Sequence, residues 1–316
     1  MTRLRLAYVA CCALLLAWCV LAFRGDLAQI GFSRLWPARD LLLWVAALSL
    51  LNYGLRALRW RYFFSRLGYR LGGGQACLTY MAGFAFTLLP GKVGEMTRAY
   101  YYRDMGIPLS ATASAFVVER ILDLLVMMML ACLAFGVSGP YAPLILIAAG
   151  VVLAILLLLA FVHWRNLATH PWVARLPATL GGLVDALAQA LAGARALLRP
   201  RPLAAGFCAG LIAWGAEGVG LAVLTHLLPQ AAPGWAVVTG IYAIAILAGA
   251  LSFLPGGLGG TEAVMAALLM AHGYTLADAL LLTLLCRVLT LWLAIALGWG
   301  SVAMLRFRPA PQKEMP

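Results

Sequence analysis

Charge is what this sequence has least of. Asp, Glu, Lys and Arg make up 11% of its 316 residues, where soluble globular chains carry about a quarter. The shortage is sharpest on the acidic side, with 11 Asp and Glu against 23 Lys and Arg. With 64% hydrophobic residues and a mean hydropathy of +0.95, a soluble globular domain is excluded. The seven cysteines form no CxxC and no His/Cys cluster, so neither a disulfide framework nor a metal site is expected. Each reads as an apolar residue in or beside a span. HExxH, Walker A, any nucleophile–base arrangement and the stacked aspartates of membrane phosphotransferases are all missing. No enzymatic activity and no cofactor is expected. The polar–apolar alternation of a transmembrane barrel is missing as well.

What the chain does have is long apolar runs. Residues 144–162 carry no charge and are long enough to cross a hydrocarbon core, which takes roughly 20 helical residues. The pattern is that of an all-α polytopic membrane protein, with full spans at 5–23, 40–58, 111–137, 142–162, 203–228 and 275–305. The N-terminal run follows Arg3 and Arg5 but has no small-residue cleavage site, with Trp18 where one is wanted. It reads as an uncleaved first span. The whole chain, 1–316, is a single transmembrane domain.

The net charge of +12 is spread in clusters beside apolar segments, which points to membrane topology and anionic lipid rather than nucleic acid. Arg56, Arg59, Arg61, Arg66 and Arg70 mark one cytoplasmic end. His163, Arg165, Arg175, Arg195, Arg199 and Arg201 mark a second, and Arg306 and Arg308 a third. The N- and C-termini are both expected inside. Near 178–199, Leu180, Leu183, Val184, Leu187, Leu191, Ala194 and Leu198 share one helical face and Asp185, Gln189, Arg195 and Arg199 the other. That pattern predicts a helix lying flat at the cytoplasmic interface. Trp60, Tyr62, Phe63 and Phe64 among arginines read as interfacial anchors, and Tyr100, Tyr101 and Tyr102 as belt residues. His226 and His272 fall near outer helix ends.

Two stretches resemble each other. Leu88-Leu89-Pro90-Gly91-Lys92-Val93-Gly94-Glu95 is matched by Phe253-Leu254-Pro255-Gly256-Gly257-Leu258-Gly259-Gly260, with Glu262 just after. Each leads to a glycine and then to an apolar helix bearing an arginine: Gly106 to Arg120 and Gly273 to Arg287, 14 residues in both. Pro90 to Arg120 is 30 residues and Pro255 to Arg287 is 32. Charge placement and parity make the two apolar arms re-entrant hairpins of opposite sense, in repeat units 75–137 and 235–305. That is an inverted-topology repeat of the kind from which transporters are built, with broken helices hinged at Pro90, Gly91, Gly94, Pro255, Gly256, Gly257 and Gly259.

Ionisable groups at membrane depth are costly and mark pathways or sites. Glu119, Arg120 and Asp123 project to one side of a helix, and Arg120 and Asp123 can pair at i, i+3. Arg287 has no acidic neighbour at its level on its own helix, so its partner is Glu262, Glu217 or a ligand anion. Arginine suits bidentate phosphate recognition. Glu217 lies among Gly215, Gly218 and Gly220, either as counter-ion to Arg287 or Arg120 or as a protonatable group. The Pro-Gly breaks offer backbone N–H groups to an anion, with Lys92 and Arg98 beside the first.

At these residues the chain resembles the lysylphosphatidylglycerol synthase transmembrane-region family of flippase-like bacterial membrane proteins. The resemblance rests on Leu89 to Glu95 with Arg98, on Val118-Glu119-Arg120 with Asp123, on Leu254 to Gly259 with Glu262, and on Arg287. It covers about 51–305. It implies lipid handling between leaflets of a bacterial inner membrane. The sequence ends at Pro316 without the soluble aminoacyl-transferase domain of bifunctional members, so lysyl transfer is not expected. Stand-alone relatives are associated with glycolipid, polyprenyl-phosphate-linked or hopanoid pathways.

The expected function is translocation of an anionic or polyprenyl- or glyco-lipid. Lys92, Arg98, Arg120 and Arg287 would contact phosphate, and Glu95, Glu119, Asp123, Glu217 and Glu262 would balance and gate. The alternative is a non-catalytic accessory subunit of a lipid-modifying enzyme. The expected partners are a membrane lipid and, on the second reading, that enzyme.

Overall fold

Apolar runs stopped by glycine or proline become long helices here, and the described residues contain no strand. The computed structural model describes residues 36–136, 142–161, 173, 177–229, 233–252 and 254–307. The predicted first span, the 138–141 loop and the basic residues His163, Arg165, Arg175 and Arg308 lie outside them. The helices are α1 (Arg39–Arg66), α2 (Gly73–Ala82), α3 (Arg98–Arg103), α4 (Leu109–Phe135), α5 (Ala142–Phe161), α6 (Ala178–Leu197), α7 (Pro200–Thr225), α8 (Trp235–Leu251), α9 (Gly260–Ala271), α10 (Leu276–Arg287) and α11 (Leu293–Arg306). A π-turn, Val288–Trp292, joins α10 to α11.

Among the described residues, α1, α7 and the continuous 276–306 rod are long and apolar enough to cross a membrane. At 27 residues, α4 spans about 40 Å at 1.5 Å per residue and carries the Glu119–Asp123 charges. Most predicted bounds hold within a few residues. The exception is α1, which runs on to Arg66 rather than ending near 58. Its arginines do not stop it; the chain turns only at Gly68, whose φ is +95°.

Both arms break at the predicted prolines, although α2 already ends at Ala82 and passes through a 3₁₀ turn, Gly83–Phe86, before the first of them. Leu89 (φ −72°, ψ 139°) and Leu254 (φ −70°, ψ 150°) are extended, as a residue before proline prefers, and each proline then starts a 3₁₀ turn. Beyond that the two differ. Pro90–Thr97 is 3₁₀ throughout, unusually long for that geometry. Pro255–Gly257 is short and leads through left-handed Gly256, Gly257 and Gly259 into α9. Gly106 and Gly273, the matched glycines before the two arginine helices, have φ +78° and +92°. The residue after each glycine bonds back to the preceding short helix, Ile107 N to Tyr102 O and Tyr274 N to Leu269 O.

The largest core cluster joins α4, α7, α8, α9 and α10 through residues such as Val126, Leu221, Ile241, Leu269 and Leu282. A second is aromatic: Trp60, Phe63, Phe64, Tyr80 and Tyr102 are all fully buried. This corrects the reading of Trp60, Phe63, Phe64 and Tyr102 as membrane-interface anchors. Their rings pack on one another, Trp60 stacked on Tyr102 at 5.9 Å and Phe64 edge-on to Tyr102 at 4.7 Å, and only Tyr100 of the three tyrosines is widely exposed.

The helix expected near 178–199 forms as α6. It packs on α4 through Ala188, Ala190, Ala194 and Leu197, with Ser114 Oγ donating to Ala190 O at 2.7 Å. Leu180 and Leu187 of the predicted apolar face remain exposed, because small residues allow close helix approach where leucine does not.

Candidate functional site

The face of α1 that points inward carries Ser49, Asn52, Tyr53, Arg56, Arg59, Trp60 and Phe63 at helical spacing. Asn52 Nδ2 donates to Ala213 O of α7 at 2.9 Å, fixing the rotation of α1. That rotation delivers Arg56 and Arg59, 5% and 2% exposed, to the charged face of α4. Neither is a topology marker on a cytoplasmic surface, as their place in the basic run had suggested; Arg61, Arg66 and Arg70 keep the exposed position.

Glu119 is the centre of the resulting network. Its Oε1 accepts from Arg59 Nη2 at 2.9 Å, from Tyr80 Oη at 2.7 Å and from Arg56 Nη2 at 3.4 Å. Its Oε2 lies 2.9 Å from Arg120 Nη2. Asp123 accepts from Arg59 at 2.7 Å and lies 3.1 Å from Arg120, so the predicted i, i+3 pair forms. Glu95 takes Arg98 Nη2 at 2.9 Å and lies 3.6 Å from Arg120. Among the described residues, four arginines (56, 59, 98, 120) and three carboxylates (95, 119, 123) thus form one buried ion-pair cluster. Aromatic faces supply the remaining solvation: Arg98 lies 4.6 Å from the Trp60 centroid and 4.3 Å from Tyr80, and Arg56 lies 4.8 Å from Trp214.

The second broken segment builds a smaller set. Arg287 Nε donates to Glu262 Oε1 at 2.5 Å and Nη2 to Gly256 O at 2.7 Å. Of the three predicted partners for Arg287, Glu262 makes this ion pair. Glu262 also accepts from Gly259 N at 2.6 Å, capping the start of α9. The turn uses its own N–H groups, Gly257 N to Leu254 O at 2.9 Å and Leu258 N to Pro255 O at 3.0 Å. These two N–H groups are thereby taken up within the turn. Glu217 accepts from the Tyr242 hydroxyl.

These two sets face one cavity of about 340 Å³. Glu95, Arg120, Asp123, Glu217 and Arg287 line it, and so do Tyr53, Arg56, Trp214 and Tyr242. Arg98, Glu119 and Glu262 are not part of the lining and stand behind it. The side chain of Lys92 lies outside the described side chains. The two breaks meet at the cavity edge, where Leu88, Leu258 and Leu291 pack together. Of the predicted hinge glycines, Gly94 is required by close approach, since a Cβ there would overlap the Phe86 carbonyl oxygen. Gly256 presents its carbonyl to Arg287 from a left-handed conformation, φ +61°. Sequence reasoning missed Tyr53, Arg56, Arg59, Tyr80, Trp214 and Tyr242. For the α1 pair a signal existed: Asn52, Arg56 and Arg59 repeat at helical spacing along the stripe that also holds Tyr53, Trp60 and Phe63.

The cavity is lined by Arg56, Arg120 and Arg287, from α1, α4 and α10. The family described as "Lysylphosphatidylglycerol synthase TM region" matches residues 4–298. The chain belongs to the lysylphosphatidylglycerol synthase TM region family. A "UPF0104 membrane protein" of Methanothermobacter thermautotrophicus is 29% identical over 242 residues, covering 68% of this chain and 69% of that protein. As a member of the lysylphosphatidylglycerol synthase TM region family, the chain is an all-α membrane protein, consistent with a lipid-related role.

Proposed function

We propose that this protein translocates a lipid with an anionic headgroup between membrane leaflets, binding the headgroup in the cavity between its two broken segments. The observation that carries this reading is the joint presence of Arg120 and Arg287 in the lining of one cavity, each on the second α-helix after a Pro-Gly break. Guanidinium groups suit phosphate because their planar donors match its oxygens, and discontinuous helices beside a central site are a recurrent transporter design. On this reading the two arms are re-entrant and form an inverted repeat, 75–137 and 235–305, and the protein has no enzymatic activity. It sits in a cell inner membrane with both termini cytoplasmic. Phosphate diesters of phospholipids, glycolipids and polyprenyl carriers all fit this chemistry.

Purified protein reconstituted into vesicles tests it, with labelled lipids of several headgroups in one leaflet and the exchange rate measured. Transport by the protein alone is the expected result; no movement of any headgroup would overturn it. Single-cysteine labelling tests the topology. Sites near Arg66, Arg195 and Arg306 should react from the cytoplasmic side and sites at 138–141 and 229–234 from the outside; an external C-terminus would collapse the inverted repeat.

A second reading, a scaffold subunit with structural charges, is favoured by one observation: Glu95, Glu119 and Asp123 each already contact at least two arginines. Copurification with a lipid-modifying enzyme, without transport, would support it.

A further inference from the structure

The cavity lining is balanced in charge. Among the described residues it holds three arginines, Arg56, Arg120 and Arg287, and three carboxylates, Glu95, Asp123 and Glu217. Among the described side chains, the groups directly behind it are balanced too: Arg59 and Arg98 against Glu119 and Glu262. An anionic headgroup entering such a site adds an uncompensated negative charge where solvation is poor, and net buried charge is costly. Taking up one proton with the anion removes that cost.

The three lining carboxylates are not equally suited to accept it. Glu95 faces Arg98 and Arg120, and Asp123 faces Arg59 and Arg120. Guanidinium groups only donate hydrogen bonds, so an acid proton placed against them has no acceptor. Glu217, 4% exposed on α7, is hydrogen-bonded by Tyr242 of α8. A phenol hydroxyl both donates and accepts: it can donate to the carboxylate and accept from the acid, keeping the contact in both states. Helix α7 packs against α1, α4, α8 and α10. From α1 and α4 the groups sharing the cavity with Glu217 are Tyr53, Arg56, Arg120 and Asp123. From α8 and α10 they are Tyr242 and Arg287, with the Cys286 thiol close enough to feel the Glu217 charge.

We propose that Glu217 and Tyr242 form a proton site, so that an anionic headgroup occupies the cavity together with one proton held on Glu217. The inference rests on the lipid-site reading above and adds the coupled ion. The step is a simple protonation: an O–H bond of hydronium breaks as one forms to a Glu217 carboxylate oxygen, water leaves, and Tyr242 Oη turns from donor to acceptor.

The test uses the purified full chain in detergent with dioctanoyl phosphatidylglycerol as probe. Binding heats are measured in two buffers of equal pH and different ionisation enthalpy, which gives the number of protons taken up. About one proton per bound lipid is expected, with affinity rising roughly tenfold per unit fall in pH across the coupled range. Glu217→Gln should take up none, and its affinity should not rise as pH falls, the neutral amide standing in for the acid. Tyr242→Phe should shift the pH profile while leaving proton uptake in place.

Wild-type binding without proton uptake would overturn the proton site and leave the lipid site standing. Uptake that persists in Glu217→Gln would overturn the assignment to Glu217. Absence of binding at every pH would overturn the lipid site and the coupling together. Inorganic phosphate serves as a chain-free arm: proton-coupled binding of phosphate but not of the lipid would keep the coupling and overturn the lipid as its source. The two-buffer comparison needs no variant, so a Glu217→Gln protein that fails to fold does not block it.

Discussion

Around Arg120, four guanidinium groups and three carboxylates from α1, α3, α4 and the segment before α3 interlock, and Tyr80 adds a hydroxyl. Around Arg287 there is one carboxylate, Glu262, and one backbone carbonyl, Gly256. The two arginines hold matching places in the two halves of the chain, yet they live in different electrostatic surroundings. A network of shared charges is stiff, because removing one member strands several others. A single pair with a carbonyl has fewer commitments, and its guanidinium is freer to exchange a protein partner for a ligand oxygen. On the proposed lipid-site reading, the Arg120 side would hold the cavity open and the Arg287 side would respond to what enters it.

The largest expected effect tests the stiffness of the first region. Glu119→Gln removes the charge shared by Arg56, Arg59 and Arg120 and should cost about 3–5 kcal/mol, as breaking buried pairs does. The readout is the thermal midpoint and monodispersity of the detergent-solubilised protein. A midpoint equal to that of the wild type would break the distinction between the two regions.

Next comes transport. Arg287→Gln should lower the lipid exchange rate by roughly 10- to 100-fold, the value of about 1.5–3 kcal/mol for a charged hydrogen bond, with a smaller loss of stability than Glu119→Gln. Lysine at 287 should recover part of it, keeping the charge without the planar fork. In the double variant Arg287→Gln with Glu262→Gln, stability should return and transport should not. Recovery of both would make the pair purely structural.

Arg120→Gln sharpens the contrast, because it should lower transport and stability together in assays of exchange rate and thermal midpoint. A loss of transport alone would show that the first region is not the stiffer one. The smallest effect is expected from Tyr80→Phe, which deletes one hydroxyl bond to Glu119 behind the cavity. It should cost about 1 kcal/mol in stability and leave exchange rates near those of the wild type.

The limits of sequence reading show at α1. Its apolar run was legible, but its end was not, because arginine does not terminate a helix and Gly68 does. The α4 bounds were legible within two residues, 111–137 against Leu109–Phe135. There the apolar run starts after Pro108 and stops at Gly136, both strong local signals. The Arg120–Asp123 pair was legible for the same reason, since i, i+3 neighbours meet on any helix.

What the sequence by itself determined is therefore local: membrane residence, the long helices, the two proline breaks with extended leucines before them, the glycines that close the turns, and the arginine that follows each break. These depend on the covalent chain within a few residues. What only the tertiary structure decided is which charges meet. Glu119 takes Arg56 and Arg59 from more than fifty residues away, Arg287 takes Glu262, and Glu217 takes Tyr242. Such choices depend on how each helix is rotated against its neighbours. That rotation is set by many weak packing contacts together, such as α6 riding on α4 through alanines and Asn52 tying α1 to α7, and by no residue alone.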